Sequence, residues 1–345
     1  MPIFKWISDW IENSRRRRRE RDAGREDARA LRRQVEAVVS ATEPRIRRVK
    51  GYRRRLTPSV AHALAHCSEL VEGLPGPFDL RADLWGVDPL ATAYFAGVDE
   101  MREALSTCPL LRSHFGAAWE PAAYVLLTMA PEEKKVFGAG ISGETMQRDV
   151  QRLSVNFSGH RFTSPNADLP RLKEDLRGRA FHFLLNCALE KIAALRQKEE
   201  RLDREQEILE MQWRLQQSRE KGLHPAMGRS GAPAPGDAGR RILSDIDEEL
   251  QDVRARLDEP SDYLGHVVQV LLEPARYLAA ETVEPRLSRM GIKVKKTDPD
   301  PGHPIPYAQI RLGEDGRKMA GLIGRVSRHD VMDDGKDAEL REGGI

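Results

Sequence analysis

The stretch 243–257, LSDIDEELQDVRARL, places Leu243, Ile246, Leu250, Val253 and Leu257 three and four residues apart. On a helix that spacing gathers the five side chains into one narrow stripe, the seam along which a second helix packs. The partner lies upstream. Asp168 opens a helical pattern that runs to about Lys221, and 222–239, with five glycines and three prolines, reads as a flexible loop. Folding the chain back about residue 230 sets 243–257 against 203–217, where Ile208, Leu209, Trp213 and Leu215 lie; Leu202, Leu209 and Trp213 supply the facing side of the seam. The same fold-back matches 263–272 with 189–195 and 277–287 with 172–184. Pro260, Pro274 and Pro285 break the returning arm, because a proline inside a helix removes a hydrogen bond and clashes with the preceding turn.

Outward from this hairpin the pattern changes. The apolar runs 124–129 and 135–141 are joined by Pro131, Glu132 and Glu133 as in a β-hairpin, and Leu153, Val155 and Phe157 alternate with polar residues at the period of a half-buried strand. Past Gly291, segments 292–296, 307–312 and 317–326 read as strands, with a turn at 313–316. Upstream, Thr57-Pro58 and Asp88-Pro89 look like helix starts in a subdomain whose expected core is Leu64, Leu70, Leu84, Trp85, Leu90, Phe95, Met101, Leu105, Leu110 and Trp119.

The expected fold is therefore mainly α with small β elements, an α+β chain with a long antiparallel helical hairpin or coiled coil plus a short antiparallel sheet. The expected sections are a basic amphipathic helical region 1–56, a helical subdomain 57–121, a small β element 122–167, the helical hairpin 168–290, C-terminal strands 291–328 and a loose tail 329–345.

Composition narrows the function classes. Apolar runs such as 122–127 and 267–272 fall far short of the ~20 residues that span a bilayer. Cys67, Cys108 and Cys187 are odd in number, far apart and without a CxxC pair, so neither a disulfide framework nor a thiolate zinc site is indicated and a cytoplasmic, reducing location is expected. Residues 1–55 hold 18 Lys/Arg against 8 Asp/Glu, and the rest 38 against 46, so a basic end sits on a mildly acidic body. Ile3, Phe4, Trp6, Ile7, Trp10 and Ile11 fall on one face of an amphipathic helix, followed at once by Arg15, Arg16, Arg17, Arg18 and Arg19. Apolar insertion beside a cationic cluster is what an in-plane membrane helix requires. The bland alternative is a helix that docks on protein.

Leu84-Trp85-Gly86-Val87-Asp88-Pro89-Leu90 and Val155-Asn156-Phe157-Ser158-Gly159-His160 resemble stretches of a bacterial protein family without an assigned activity. The resemblance covers residues 70–220, implies a bacterial cytoplasmic protein and supplies no catalytic residues.

Three catalytic or ligand-binding patterns are present in outline. Gly138-Ala139-Gly140-Ile141-Ser142-Gly143-Glu144-Thr145 matches a phosphate-binding loop except that Glu144 stands where the lysine belongs, and a carboxylate there repels phosphate. His62 and His66, four apart beside Cys67, offer two metal ligands without an identifiable third. His160 near Ser158, with Asn166 and Asp168, lacks any nucleophile-elbow or zinc-protease signature. Arg45, Arg47, Arg48, Lys50, Arg53, Arg54 and Arg55 surround Tyr52 and are of a type that contacts phosphates.

The expected function is a non-enzymatic cytoplasmic scaffold or adaptor, peripheral to the inner membrane through its N-terminus, with protein partners or self-association at the hairpin and no cofactor, metal or small-molecule substrate inferred. A nucleic-acid-associated protein using 15–55 is the first alternative. An enzyme acting at the 124–163 sheet is the second.

Overall fold

The computed structural model describes residues 28–117, 119–142, 145–223, 236–257, 259–296, 298 and 301–332. In chain order these form α1 (28–41), a 3-10 turn (Pro44–Arg48), α2 (Tyr52–Glu72), β1 (Phe78–Leu80), a second 3-10 turn (Ala82–Leu84), α3 (Pro89–Tyr94), α4 (Val98–Ser106) and α5 (Pro109–Ala117). Strands β2 (Ala122–Ser142) and β3 (Thr145–Asn166) follow, then α6 (Leu169–Leu223), α7 (Gly236–Ala255), α8 (Pro260–Leu272) and α9 (Pro274–Tyr277). The chain closes with β4 (Leu278–Val283), β5 (Arg286–Leu287), β6 (His303–Pro304), β7 (Tyr307–Leu312), β8 (Arg317–Ser327) and α10 (Arg328–Met332). Contacts divide it into two compact units, Met1–Ala63 with Phe183–Glu273, and Leu64–His182 with Pro274–Ile345.

The first unit is helical. Val35, Val38, Val39, Ile46, Leu56 and Val60 are buried, as are Leu184, Leu185, Ile192, Leu264, Val267, Val270 and Leu271 from the later helices. Proline sets where the helices begin: Pro260 occupies the first turn of α8, where its missing N–H costs nothing, and the Asp262 carboxylate accepts a hydrogen bond from the Glu259 N–H at 2.9 Å. Glu43 ties the 3-10 turn to α6 by accepting from Arg45 Nε at 3.1 Å and Arg196 Nη2 at 2.8 Å. Both guanidinium groups lie over the Tyr263 ring, 5.4 and 5.1 Å from its centroid.

The second unit corrects the expected fold class. Its sheet is large, six strands in the order β3-β2-β8-β7-β4 with β1 also on β8, rather than a short accessory. All pairs are antiparallel except β1 with β8. Strand β8 pairs with β2 along Ala320–Ser327, while its other edge takes β7 over Arg317–Gly321 and β1 over Gly324–Val326, so β1 and β7 lie end to end. Leu80, Tyr94, Phe95, Met101, Leu105, Phe115, Val125, Leu127, Phe157, Leu322 and Val326 belong to one buried core beneath it.

Four local expectations change with it. Pro131-Glu132-Glu133 is not a turn: β2 runs through it for 21 residues, and the reversal comes between Ser142 and Thr145. Strand β8 leaves β2 after Met129, so the prolyl nitrogen needs no ladder partner on that side. Segment 277–287 is not a helical arm, since residues 278–283 are edge strand β4, paired with β7. Pro58 lies inside α2 instead of starting it. In the tail, residues 328–332 form a helix that buries Val331, and 333–345 lie outside the described residues. Asp88 does cap α3 as its sequence suggests, accepting from the Leu90 N–H at 2.9 Å with Pro89 at the first helical position.

Candidate functional site

The α6–α7 pair in the first unit runs antiparallel: Arg254, late in α7, bonds Glu199 and Asp203 at 3.3 and 2.7 Å, whereas Asp247, earlier in α7, accepts from Gln206 at 2.7 Å, so residue numbers fall on α7 as they rise on α6. Between them Leu202, Ile246, Leu250 and Val253 form a buried cluster with Leu209 packed against it. Leu257 is also buried outside that cluster, and Leu243 and Trp213 are half-buried. The flanking ion pairs are exposed and contribute about 0.2–1 kcal/mol each, so the apolar cluster dominates the pairing.

Ile208 and Leu215, which lie in the segment set against 243–257, point away from the seam. They are 55% and 58% exposed, and Met211 between them is 63% exposed. The three stand at spacings of three and four on the side of α6 roughly opposite Leu202 and Leu209, a second apolar stripe in water. The sequence held the signal: α6 carries two apolar series, 202-209 and 208-211-215, and a single seam can absorb only one.

Strands β2 and β3 make the second extended feature. Their ladder continues from Ala130/Ser158 to Ser142/Thr145, past the last β8 pair at Met129. Support along it comes from 291–293, where the Val155 N–H donates to the Gly291 carbonyl at 2.8 Å, Ser154 bridges Ile292, and Lys293 Nζ meets Glu133 at 2.5 Å. Phe157 anchors its base, edge-on to Tyr94 and Tyr307 with centroids 5.5 and 5.3 Å away.

The chemistry-bearing residues are committed to structure. His160 Nε2 lies 2.7 Å from the Tyr94 carbonyl oxygen and so carries its proton there; Nδ1 faces Glu100 at 3.5 Å, and the ring stacks on Phe95. A general base needs a free nitrogen within reach of the proton it takes, and this imidazole instead clips β3 to α3 and α4. His66 Nε2 lies 2.7 Å from the Leu278 carbonyl oxygen and His62 is exposed, and among the described residues no group of three or more His, Cys, Asp or Glu is placed to hold a metal ion. Burial pushes the Cys67 thiol up to about 11. Gly138, Ala139, Gly140 and Ile141 lie in β2, and the next described element is strand β3; a phosphate loop would lead from a strand into a helix N-terminus. Gly143 and Glu144 lie outside the described residues.

Part of the basic segment 45–55 is neutralised from within. Glu36 accepts from the Tyr52 hydroxyl at 2.6 Å and Arg53 Nε at 2.7 Å and pairs with Arg47, contacts that hold its carboxyl below the usual range. Arg45 is taken by Glu43, while Arg48, Lys50, Arg54 and Arg55 are exposed. Trp119, expected in the core, is 87% exposed with the Arg328 guanidinium stacked on it, and Leu110 is exposed as well. Ile3, Phe4, Trp6, Ile7, Trp10, Ile11 and Arg15 to Arg19 lie outside the described residues. Among the described residues no helix is long and apolar enough to cross a membrane.

Compared with profiles of known protein families, with curated proteins and with solved structures, the chain matches none, so the resemblance over 70–220 gains no support from them.

Proposed function

We propose that this protein is a non-enzymatic scaffold or adaptor that receives protein partners on the outer face of α6 and is held at an anionic membrane surface by residues 2–19. The observation that carries the reading is the apolar series Ile208, Met211 and Leu215, exposed on the side of α6 away from α7. Apolar area left in water forgoes about 25 cal/mol per Å², and a stripe of helical spacing suits another helix laid along it. The hydrogen bonds of His160 and His66 to main-chain oxygens favour binding over catalysis. The engagement of Arg45, Arg47 and Arg53 by Glu43 and Glu36 favours protein partners over nucleic acid. Membrane attachment rests on the sequence of 2–19, with Trp6 and Trp10 beside Arg15 to Arg19.

Affinity purification from the native cell, with membrane and soluble fractions kept apart, tests both parts. The triple variant Ile208→Gln, Met211→Gln, Leu215→Gln is expected to stay folded and lose the partners; retention of every partner overturns the docking face. Trp6→Ser with Trp10→Ser is expected to abolish co-sedimentation with anionic liposomes. Wild type left in the supernatant at low salt overturns the membrane attachment.

A further inference from the structure

The outer face of α6 also indicates what occupies it. Assigned to a heptad with Ile208 and Leu215 at a and Met211 at d, the preceding turns place Arg201 at a and Arg204 at d. One flank, the g positions, then holds Glu200, Glu207 and Arg214, and the same spacing reaches Lys221 in the sequence. The other flank, the e positions, holds Glu205 and Gln212. Charge along the g flank thus changes from acidic to basic across the apolar triplet. Glu200, Glu207 and Arg214 are exposed; Glu200 is bonded to Arg204 at 3.2 Å and Arg214 to Glu210 at 2.8 Å, both within the helix and both exchangeable at little cost.

We infer that this face pairs with the same face of a second copy of the chain, the two α6 helices antiparallel. This rests on the reading of the face as a docking surface and names its occupant. In an antiparallel pair a-residues meet d-residues, which sets Ile208 against Met211 of the other copy, twice by symmetry, and lays Leu215 along the methylene stem of Arg204. The g flanks run side by side, so Glu207 of each copy faces Arg214 of the other. A parallel pair would bring the g flank against the e flank, placing Glu200 beside Glu205. Anionic lipid and nucleic acid fit poorly, because 199–215 carries six carboxylates against three arginines.

The test is light scattering on the full chain during size exclusion over a wide range of concentration. Wild type is expected at twice the 39.0 kDa of one chain. Glu207→Arg or Arg214→Glu alone sets like charges against each other in both symmetric pairs, and each should weaken association roughly tenfold or more. The double exchange Glu207→Arg with Arg214→Glu should restore it, because every pair is again of opposite sign. The triple glutamine variant should be monomeric with unchanged helix content. Wild type at 39.0 kDa throughout, a triple variant that remains dimeric, or a double exchange that fails to restore association each overturns self-pairing. A monomeric wild type whose stripe variant still loses partners in the affinity experiment overturns self-pairing alone and leaves the scaffold reading standing.

Discussion

The α6–α7 pair and the β2–β3 pair are both two-element antiparallel arms, yet different forces hold them. In the helical pair every backbone hydrogen bond is internal to one helix, so association depends on side chains, and Leu202, Ile246, Leu250 and Val253 supply its buried cluster. In the strand pair the backbone ladder is itself the association, and along the described part beyond Met129 the side chains of Glu132, Glu133, Lys134 and Lys135 are exposed. Each arm is therefore vulnerable in its own way, the helices to one misplaced charge and the sheet to a distorted backbone.

The strongest break is expected at Leu250→Asp, which places an unpaired carboxylate among apolar neighbours at about 3–5 kcal/mol. Glu248→Ala, exposed on the same helix, should change stability by less than about 0.5 kcal/mol. Chemical denaturation of both variants decides it, and equal midpoints would mean that Leu250 is not in the seam.

Next comes a backbone change in the sheet unit. Gly76 has φ +118°, and a Cβ there would overlap the Ile323 carbonyl oxygen beside the 2.8 Å hydrogen bond from the Ile323 N–H to the Pro75 carbonyl. Gly76→Ala should cost about 2–3 kcal/mol and expose the β8 amides to hydrogen exchange. Unchanged exchange at Ile323 would show that the loop moves aside freely.

A third, smaller effect belongs to Glu43. Burial alone would raise its pKa, but hydrogen bonds from Arg45 and Arg196 prevail and lower it. A depressed carboxyl contributes stability that is present above its unfolded value near 4.5 and is lost as pH falls through the folded value. Glu43→Gln should therefore cost about 1–2 kcal/mol at neutral pH, and the difference from wild type should shrink below about pH 4.5. Denaturant titrations at pH 7 and pH 3 measure it; a gap that widens on acidification contradicts the assignment.

The smallest expected effect sharpens the contrast directly. Leu153→Asp puts on the ribbon the charge that Leu250→Asp puts in the helical seam, but Leu153 is exposed and its backbone bonds do not depend on its side chain. It should cost less than about 1 kcal/mol. A thermal shift as large as that of Leu250→Asp would show that the ribbon, too, is held by its side chains.

Features set by local chemistry are legible in the sequence. The series Ile246, Leu250 and Val253 has the period of a helix and lies in one, while Leu257 falls just past the end of α7; Asp88 with Pro89 starts a helix, Pro260 and Pro274 restart others, and glycines at 313 and 316, both at positive φ, close the turn between β7 and β8. Tertiary structure decided what depends on distant neighbours. Pro131 reads as a turn until the departure of β8 after Met129 removes the need for its missing N–H. Residues 278–283 match a helical arm until β7 offers them a ladder, and β1 finds its partner nearly 250 positions away at Gly324–Val326. Ile208 and Leu215 are apolar at helical spacing in either reading, and only the placement of α7 decides that they face outward. Periodicity tells which residues share a face of an element; what covers that face is a property of the folded chain, because burial is a relation between segments that the sequence keeps apart.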